Sequence, residues 1–464
     1  MDNNDGLMTV NLKNKTGGSS MKREEFLKLV DKKDFKAIKS VLNVMNVVDL
    51  ADLLSELEET EAVIAFRLME KYTAAEVFSH VDSNQQAELL NLFTDKEIKD
   101  MMDAMFSDDA ADLVEEMPAN VVEKLLRNMD VETRSEINSL LNYPEDSAGS
   151  IMTTEYISLA PDIKIGDALR KIREEGIHKE TIYTCYVVQH HILLGIVTAK
   201  DLLTNPEDMP ISDIIEENII TCNTNDDKED VAKKFNKYGL ISMPVIDAER
   251  CIVGIVTFDD AFEVLETEVT EDFEKMNALL HSDETYFNTG VFRHAGNRIP
   301  WLLVLMITST LTGIIITRYE NAFEAIPLLV AFMPMLMDTG GNCGAQSLAL
   351  IIRGLAIDEI KPADALRVWW KEFRVAAIIS IILAVANGVR IYFMHGRDLR
   401  ISLVVSGSLI VTVFIAKTVG CMLPLLAKKM KMDPAVMASP MITTIVDVCS
   451  LFIYFNIATH IFNL

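Results

Sequence analysis

Cysteine is scarce here and unpaired. The six cysteines, Cys185, Cys222, Cys251, Cys343, Cys421 and Cys449, form no Cys-x-x-Cys pair, and the last three lie in strongly apolar stretches. This argues against a disulfide framework or a cysteine-built zinc site. Positive charge is also in deficit. The formal net charge is −26, which argues against a nucleic-acid partner, because such a partner needs clustered Lys and Arg. The first 20 residues include Asn3, Asn4, Gly17, Gly18, Ser19 and Ser20 and lack the apolar core of a secretory signal. The acidic part of the chain is therefore expected to stay in the cytoplasm. No His/Asp/Ser or metal-protease motif supports an enzyme.

Half of the 464 residues are hydrophobic, and the mean hydropathy is +0.20. That sits awkwardly with so large a negative charge until the chain is divided. Residues 299–464 carry 13 Lys and Arg against 10 Asp and Glu, which leaves residues 1–298 with a net charge of −29. An acidic soluble part is joined to an apolar, slightly basic one.

Residues 21–145 read as short amphipathic helices. Leu50, Leu53, Leu54 and Leu57 recur at helical spacing, as do Leu125, Leu126 and Met129, with Pro118 and Tyr143-Pro144 as punctuation. The spacing predicts an all-helical domain of stacked hairpins. Residues 146–262 then repeat internally. Gly195-Ile196-Val197-Thr198-Ala199-Lys200-Asp201 returns as Gly254-Ile255-Val256-Thr257-Phe258-Asp259-Asp260, 59 residues on. Strand-like Tyr186-Val187-Val188 and Val245-Ile246-Asp247 keep the same offset. Helix-like stretches near 165–175 and 228–238 precede them.

Residues 263–295 read as an acidic amphipathic helix and a linker. The rest, 296–464, holds apolar runs near 299–317, 325–351, 373–394, 401–426 and 437–462, each about long enough to span a bilayer. Pro327, Pro334, Gly340, Gly341 and Gly344 predict a broken or kinked second helix. The segments 353–374 and 427–433 are rich in Lys and Arg and are expected on the cytoplasmic side. The loop after the third run, with Arg397 and Arg400, carries a weaker bias. Five spans place the C-terminus outside.

A carboxylate inside an apolar run is costly, which makes Asp447, in Thr443-Thr444-Ile445-Val446-Asp447, a candidate cation ligand. The bland alternative pairs it with Lys417 for packing. Asp338-Thr339-Gly340-Gly341-Asn342-Cys343-Gly344-Ala345-Gln346-Ser347 is a polar, glycine-rich interruption of a second run. Bare carbonyls at a helix break, with the Asn342 and Gln346 oxygens, could hold a cation or its waters. A small-residue helix contact is the alternative. Oxygen donors without a His or Cys cluster suit a hard cation, Mg²⁺ above all, while Ca²⁺, Mn²⁺ and Co²⁺ stay open. One aspartate per chain hints at a homodimer.

These residues resemble the MgtE family of magnesium transporters and channels over nearly the whole chain. The resemblance rests on Ser107-Asp108-Asp109-Ala110-Ala111-Asp112-Leu113, on Tyr143-Pro144-Glu145-Asp146-Ser147-Ala148-Gly149, on Thr339-Gly340-Gly341-Asn342, and on Asp433-Pro434-Ala435 followed by Asp447. It implies a multidomain protein. A disordered tail over 1–20 leads to an all-α superhelical N domain over 21–145. α/β tandem CBS domains follow over 146–262, then a plug helix and linker over 263–295. A transmembrane pore domain of five helices per chain closes the chain over 296–464.

The resemblance also implies a homodimer in a lipid bilayer, specifically a multi-pass plasma-membrane protein. Its pore would use Asp447, Thr443, Thr444, Gly340, Gly341 and Asn342, with Asp338 beside them. Regulatory Mg²⁺ would be held by Asp108, Asp112, Asp260, Glu263, Glu268, Glu271, Asp272 and Asp433 and would close the pore when the ion is plentiful. At a net charge of −29, the soluble part has self-repulsion for divalent ions to relieve. The CBS pair resembles adenine-nucleotide modules, which makes Thr198, Lys200, Asp201 and Thr257 candidate ATP contacts. Lys200 stands where an Arg is common, and His190 and His191 replace the usual turn acid. The competing readings are a membrane-anchored CBS nucleotide sensor and a broader transporter of Co²⁺ or Mn²⁺.

Overall fold

The computed structural model describes residues 22–282, 286–287, 289–320, 324, 326–394, 398–436 and 439–463. The tail expected over 1–20 and the loop residue Arg397 lie outside them. Two compact units result, Met1–Leu265 and Glu266–Leu464.

The first unit opens with α1 (Arg23–Asp31), α2 (Phe35–Leu42), α3 (Val47–Ser55), α4 (Glu59–Leu68), α5 (Lys71–Ser79), α6 (Ser83–Leu92), α7 (Asp95–Met102), α8 (Ser107–Glu116), α9 (Ala119–Asn128) and α10 (Val131–Leu140). Each has 8–10 residues, too few to be stable alone in water. Local signals start them. The Asn46 side chain accepts the Val48 N–H, Asp130 accepts that of Thr133, and Thr94 with Glu97 forms a capping box. Packing holds them. Helices two apart in sequence touch (α2 with α4, α3 with α5, α5 with α7, α8 with α10), so each hairpin stacks on the next.

Two sheets follow. β1 (Ser158–Leu159) pairs parallel with β2 (Thr184–Gln189), which pairs antiparallel with β3 (Ile192–Thr198). α11 (Ile165–Glu175) precedes β2, and α12 (Ala199–Thr204) follows β3. β4 (Cys222–Asn223), α13 (Lys228–Tyr238), β5 (Ser242–Ile246) and β6 (Ile252–Thr257) repeat the pattern. Cys185 lies opposite Val197 in the first sheet, and Met243, 58 residues on, lies opposite Val256, 59 residues on, in the second, so the two hairpins differ in register by one residue. The β2–β3 turn puts His190 and His191 at φ 50° and 68°, the left-handed region that two-residue hairpin turns require.

One core runs from Phe26, Leu54, Phe78 and Leu90 of the helices into Val231, Phe235, Met243 and Val256 of the second repeat. The first repeat keeps its own core around Ile157, Val187 and Val197.

α14 (Phe258–Met276) starts at the end of β6 and crosses from the first unit into the second. The second unit continues with α15 (Val291–Arg318), a 3-10 turn at Pro327–Phe332, α16 (Met333–Ala356), α17 (Ala365–Met394), α18 (Leu399–Lys429) and α19 (Ser439–Phe462). Among the described residues, four helices are long and apolar enough to cross a membrane: Val291–Arg318, Pro362–Met394, Leu399–Lys429 and Ser439–Phe462. α16 has 24 residues, roughly 36 Å of helix, enough for a core of about 30 Å. Its polar stretch 338–347 dilutes its hydropathy. α16 packs against α18 and α19, and α17 against α18.

Two sequence expectations change here. The break expected in the second run falls at the 3-10 turn Pro327–Phe332, while 338–347 stay α-helical. Their carbonyls are therefore engaged in the helix, not bare at a break. The third helix begins at Ala365, eight residues before the run read from hydropathy, because Trp369, Trp370 and Phe373 carry the apolar face through the charged residues Lys371, Glu372 and Arg374.

Candidate ion path and metal centre

The glycine motif of α16 is a packing face. A Cβ on Gly340 would lie 2.7 Å from Thr412 Cγ2 and 2.8 Å from Val446 Cγ1. On Gly341 it would lie 2.9 Å from Thr443 Cγ2, and on Gly420 only 2.3 Å from the Gly344 carbonyl. No side chain fits at these crossings, so the small-residue contact is what the motif builds. The close approach brings α19 against α16.

Asp338 and Asn342 lie on the exposed side of α16, and the Asn342 amide donates to Asp338 Oδ1 at 3.1 Å. Gln346, one turn further on, is exposed as well. Asp447 is half-buried on α19, near enough to Asp338 for their charges to interact. The Thr443 and Thr444 hydroxyls both donate to the Pro440 carbonyl, at 2.8 and 2.9 Å. Their oxygen lone pairs remain available to an ion or its waters. Asp338 and Asn342 thus lie one turn apart on α16, and Thr443 and Thr444 one turn before Asp447 on α19.

Lys417 does not pair with Asp447. Its ammonium lies 3.7 Å from Glu372 Oε2, and the Ser347 hydroxyl donates to the same oxygen at 2.6 Å. The packing alternative offered for Asp447 is thereby overturned.

A second cluster lies in the first unit. Asp108 and Asp109 occupy the first turn of α8, and Asp259 and Asp260 the first turn of α14. Burial, with Asp260, Asp109 and Glu180 nearby, pushes the Asp108 carboxyl well above the usual range. Burial and the neighbouring acids Asp260 and Asp259 push Glu180 up to about 8. Asp260 rises to about 6, mainly through burial, although the Thr257 hydroxyl donates to it. Asp112, on the solvent edge, is raised by burial and by Asp109, Glu116 and Glu263. Two helix N-termini stabilise this charge only in part. The donors are all hard oxygen, half-buried at Asp108, Asp109, Glu180 and Asp260 and exposed at Asp112, Asp259 and Glu263, a set that fits a divalent cation such as Mg²⁺.

Asp108, Asp112, Asp260 and Glu263 were legible as candidates and belong to this one cluster. Asp109, Glu180 and Asp259 complete it and were missed. Asp109 and Asp259 sit beside predicted residues, but Glu180 comes from a loop of the first repeat that no motif marked. Glu155 also escaped notice. Its Oε2 accepts the Ser107 hydroxyl at 2.8 Å and the Thr153 hydroxyl at 2.6 Å, tying α8 to the CBS pair.

The remaining predicted acids lie in the second unit. Lys275 stands between Glu271 Oε1 at 2.7 Å and Asp433 Oδ2 at 2.8 Å. Glu268 and Asp272 are half-buried on the same helix. In the CBS pair, Thr198 and Asp201 form a capping box that starts α12, and Lys200 beside them is exposed. Thr257 and Asp260 repeat that bond at α14.

Family models match three stretches: the MgtE intracellular N domain at 45–146, CBS domains at 148–208 and 211–267, and MgtE, a divalent cation transporter, at 333–457. The magnesium transporter MgtE of Thermus thermophilus is 34% identical over 400 residues, 85% of this chain and 88% of that protein. The chain belongs to the MgtE family. The Bacillus subtilis magnesium transporter MgtE is 31% identical over 416 residues, 84% of this chain and 92% of that one. These relatives are transporters, not enzymes. The soluble part of a magnesium transporter superposes on this MgtE-family chain with a TM-score of 0.51 at 27% identity, covering 53% of this chain and 97% of that one. The cytosolic domain of the Mg²⁺ channel MgtE in complex with ATP matches at 30% identity, with a TM-score of 0.49, over 52% of this chain and 99% of that one.

Proposed function

We propose that this chain carries Mg²⁺ across a membrane along a strip of Asp338, Asn342, Thr443, Thr444 and Asp447, and that cytosolic Mg²⁺ closes it. The observation that carries the reading is the pair of carboxylates, Asp338 and Asp447, set on adjacent apolar helices within electrostatic reach of each other. A membrane anchor needs neither. One chain leaves the strip partly open, and two copies facing across an axis would double its carboxylates and enclose a hydrated ion. Mg²⁺ sheds water reluctantly, which suits a wide path of carboxylate, amide and hydroxyl oxygens. The backbone oxygens of Gly340 and Gly341 stay in the helix, and those glycines serve by letting α16 and α19 meet.

The regulatory half rests on the acidic cluster. Mg²⁺ bound among Asp108, Asp112, Asp260 and Glu263, with Asp109 and Glu180, would favour the packed arrangement of α8 on α14 over a loosened one. Glu268, Glu271, Asp272 and Asp433 would extend this along α14 toward the membrane helices, with Lys275 already bridging two of them. The proposed boundaries are those read from the sequence, with the N-terminal domains cytoplasmic and the C-terminus outside. ATP at Thr198, Lys200, Asp201 and Thr257 would tune the CBS pair. Transport of Co²⁺ or Mn²⁺ is the second reading, favoured by the family model's wider description as a divalent cation transporter. The test is growth of a host strain that depends on high external Mg²⁺. The chain is expected to restore growth at low Mg²⁺, and Asp447→Ala is expected to fail while reaching the membrane in equal amount. Rescue by Asp447→Ala would remove the aspartate from the path.

A further inference from the structure

Glu372 and Lys417 form a buried charge pair that the proposed ion path does not use. Glu372 is 8% exposed and Lys417 3% exposed, in helices whose outward faces are apolar. Burying two opposite charges rarely adds stability over an apolar pair of similar size, because desolvation offsets the attraction. Such a pair is better at specifying one arrangement.

The arrangement it specifies can be read from the helices. Ser347 belongs to α16, Glu372 to α17 and Lys417 to α18, so one carboxylate ties three helices together. The tie sits beside the Gly344–Gly420 contact, three residues from Ser347 and three from Lys417. Ser347 is nine residues after Asp338. At about 100° per residue the two lie roughly 180° apart around α16. The tie therefore grips the back of the helix whose front carries Asp338 and Asn342.

We propose that Glu372 is a positioning residue for the ion path: held between Ser347 and Lys417, it sets the rotation of α16 and so aims Asp338 and Asn342 at Asp447. This rests on the ion-path reading above. Releasing the tie frees α16 to turn about its own axis. That change spoils the spacing of the carboxylates without removing either of them.

The experiment compares Glu372→Gln, Lys417→Met, the double variant and Ser347→Ala, each as full-length protein. Two quantities are read: the Mg²⁺ concentration giving half-maximal flux in proteoliposomes, and labelling of the buried Cys343, one turn before Ser347, by N-ethylmaleimide with peptide mass spectrometry. Each charge variant should raise the half-maximal concentration at least roughly 3-fold and expose Cys343. The double variant, with no buried charge left unpaired, should return both toward wild type. A purely structural role would lower the amount of active protein and leave the half-maximal concentration unchanged; that result overturns the proposal. If the charge variants do not fold, Ser347→Ala decides. A raised half-maximal concentration with Cys343 exposed supports the tie, and wild-type values for both overturn it. If the wild type itself carries no Mg²⁺, the ion-path reading fails, and Cys343 labelling still tests the tie.

Discussion

At the scale of single residues, the membrane unit depends on atoms that are missing as much as on those present. Gly420 touches the Gly344 carbonyl with no space for a methyl group. Gly420→Ala should force α16 and α18 apart and lower stability by about 1–3 kcal/mol, the usual cost of overpacking. A loss of several degrees in the unfolding temperature of the purified protein checks this, and an unchanged value would show that the helices slide past each other freely. The sequence marked the glycines but not their partner. From one chain alone, a glycine-rich stretch reads equally as a break or as a crossing, and only the opposing Gly420 and Val446 decide between them. Glu372 was illegible for a related reason. It stands between Lys371 and Arg374 at the edge of an apolar run, where a charge looks like the start of a loop.

Among the elements, α14 carries the most consequence. It was legible as an acidic helix after the repeat, but it runs from Phe258 to Met276, starting five residues before the segment read as helix and linker. Its tether was not legible. Lys275 bridges Glu271, four residues back on the same face, and Asp433, 158 residues away in sequence. The resemblance assigns both carboxylates to a bridging Mg²⁺, yet an ammonium already stands between them. Burial opposes the ammonium charge, but the hydrogen bonds to Asp433 and Glu271 raise the Lys275 pKa overall. Because these groups are about one-third exposed, the contact to Glu271 four residues back contributes about 0.3–0.5 kcal/mol and that to Asp433 about 0.2–1 kcal/mol. Lys275→Gln should therefore speed hydrogen exchange over residues 266–276 by roughly 3–10-fold at low Mg²⁺, with added Mg²⁺ restoring protection. Exchange that stays slow without Lys275 and without Mg²⁺ would mean that another contact holds the helix. The hairpins of the two CBS sheets, by contrast, were readable, because a repeat of fixed period marks β2 with β3 and β5 with β6 together, whereas the two-residue strands β1 and β4 carried no such mark.

Over the whole molecule, the division into an acidic unit and an apolar one follows from charge and hydropathy alone. What neither could give is how densely the acids converge, since Glu180 reaches the cluster from a loop of the other repeat. That convergence makes stability depend on pH. The carboxyls of Asp260, Asp112 and Glu180 titrate well above their ordinary values near 4, so in the folded state they hold protons that the unfolded chain has lost. Their contribution is present in full below about pH 4 and is lost as pH rises through about 6 to 8. Without divalent ions, the first unit should thus unfold more easily at pH 8 than at pH 5.5. Mg²⁺ at 100 times its dissociation constant should add about 2.7 kcal/mol at the higher pH and much less at the lower, where protons occupy the same oxygens. Thermal unfolding with and without Mg²⁺ at both pH values reads this directly, and an equal Mg²⁺ effect at the two would argue against the cluster as the binding site. Asp108→Asn should raise ion-free stability and blunt the response.

The central claim, Mg²⁺ passage past Asp447 under control of cytosolic Mg²⁺, is tested most directly by Mg²⁺ flux in proteoliposomes. The ion would be held low or high on the face carrying the acidic unit. The account predicts flux at low Mg²⁺, suppression at high Mg²⁺, and no flux at either level for Asp447→Ala. Flux through Asp447→Ala equal to that of the wild type would contradict it.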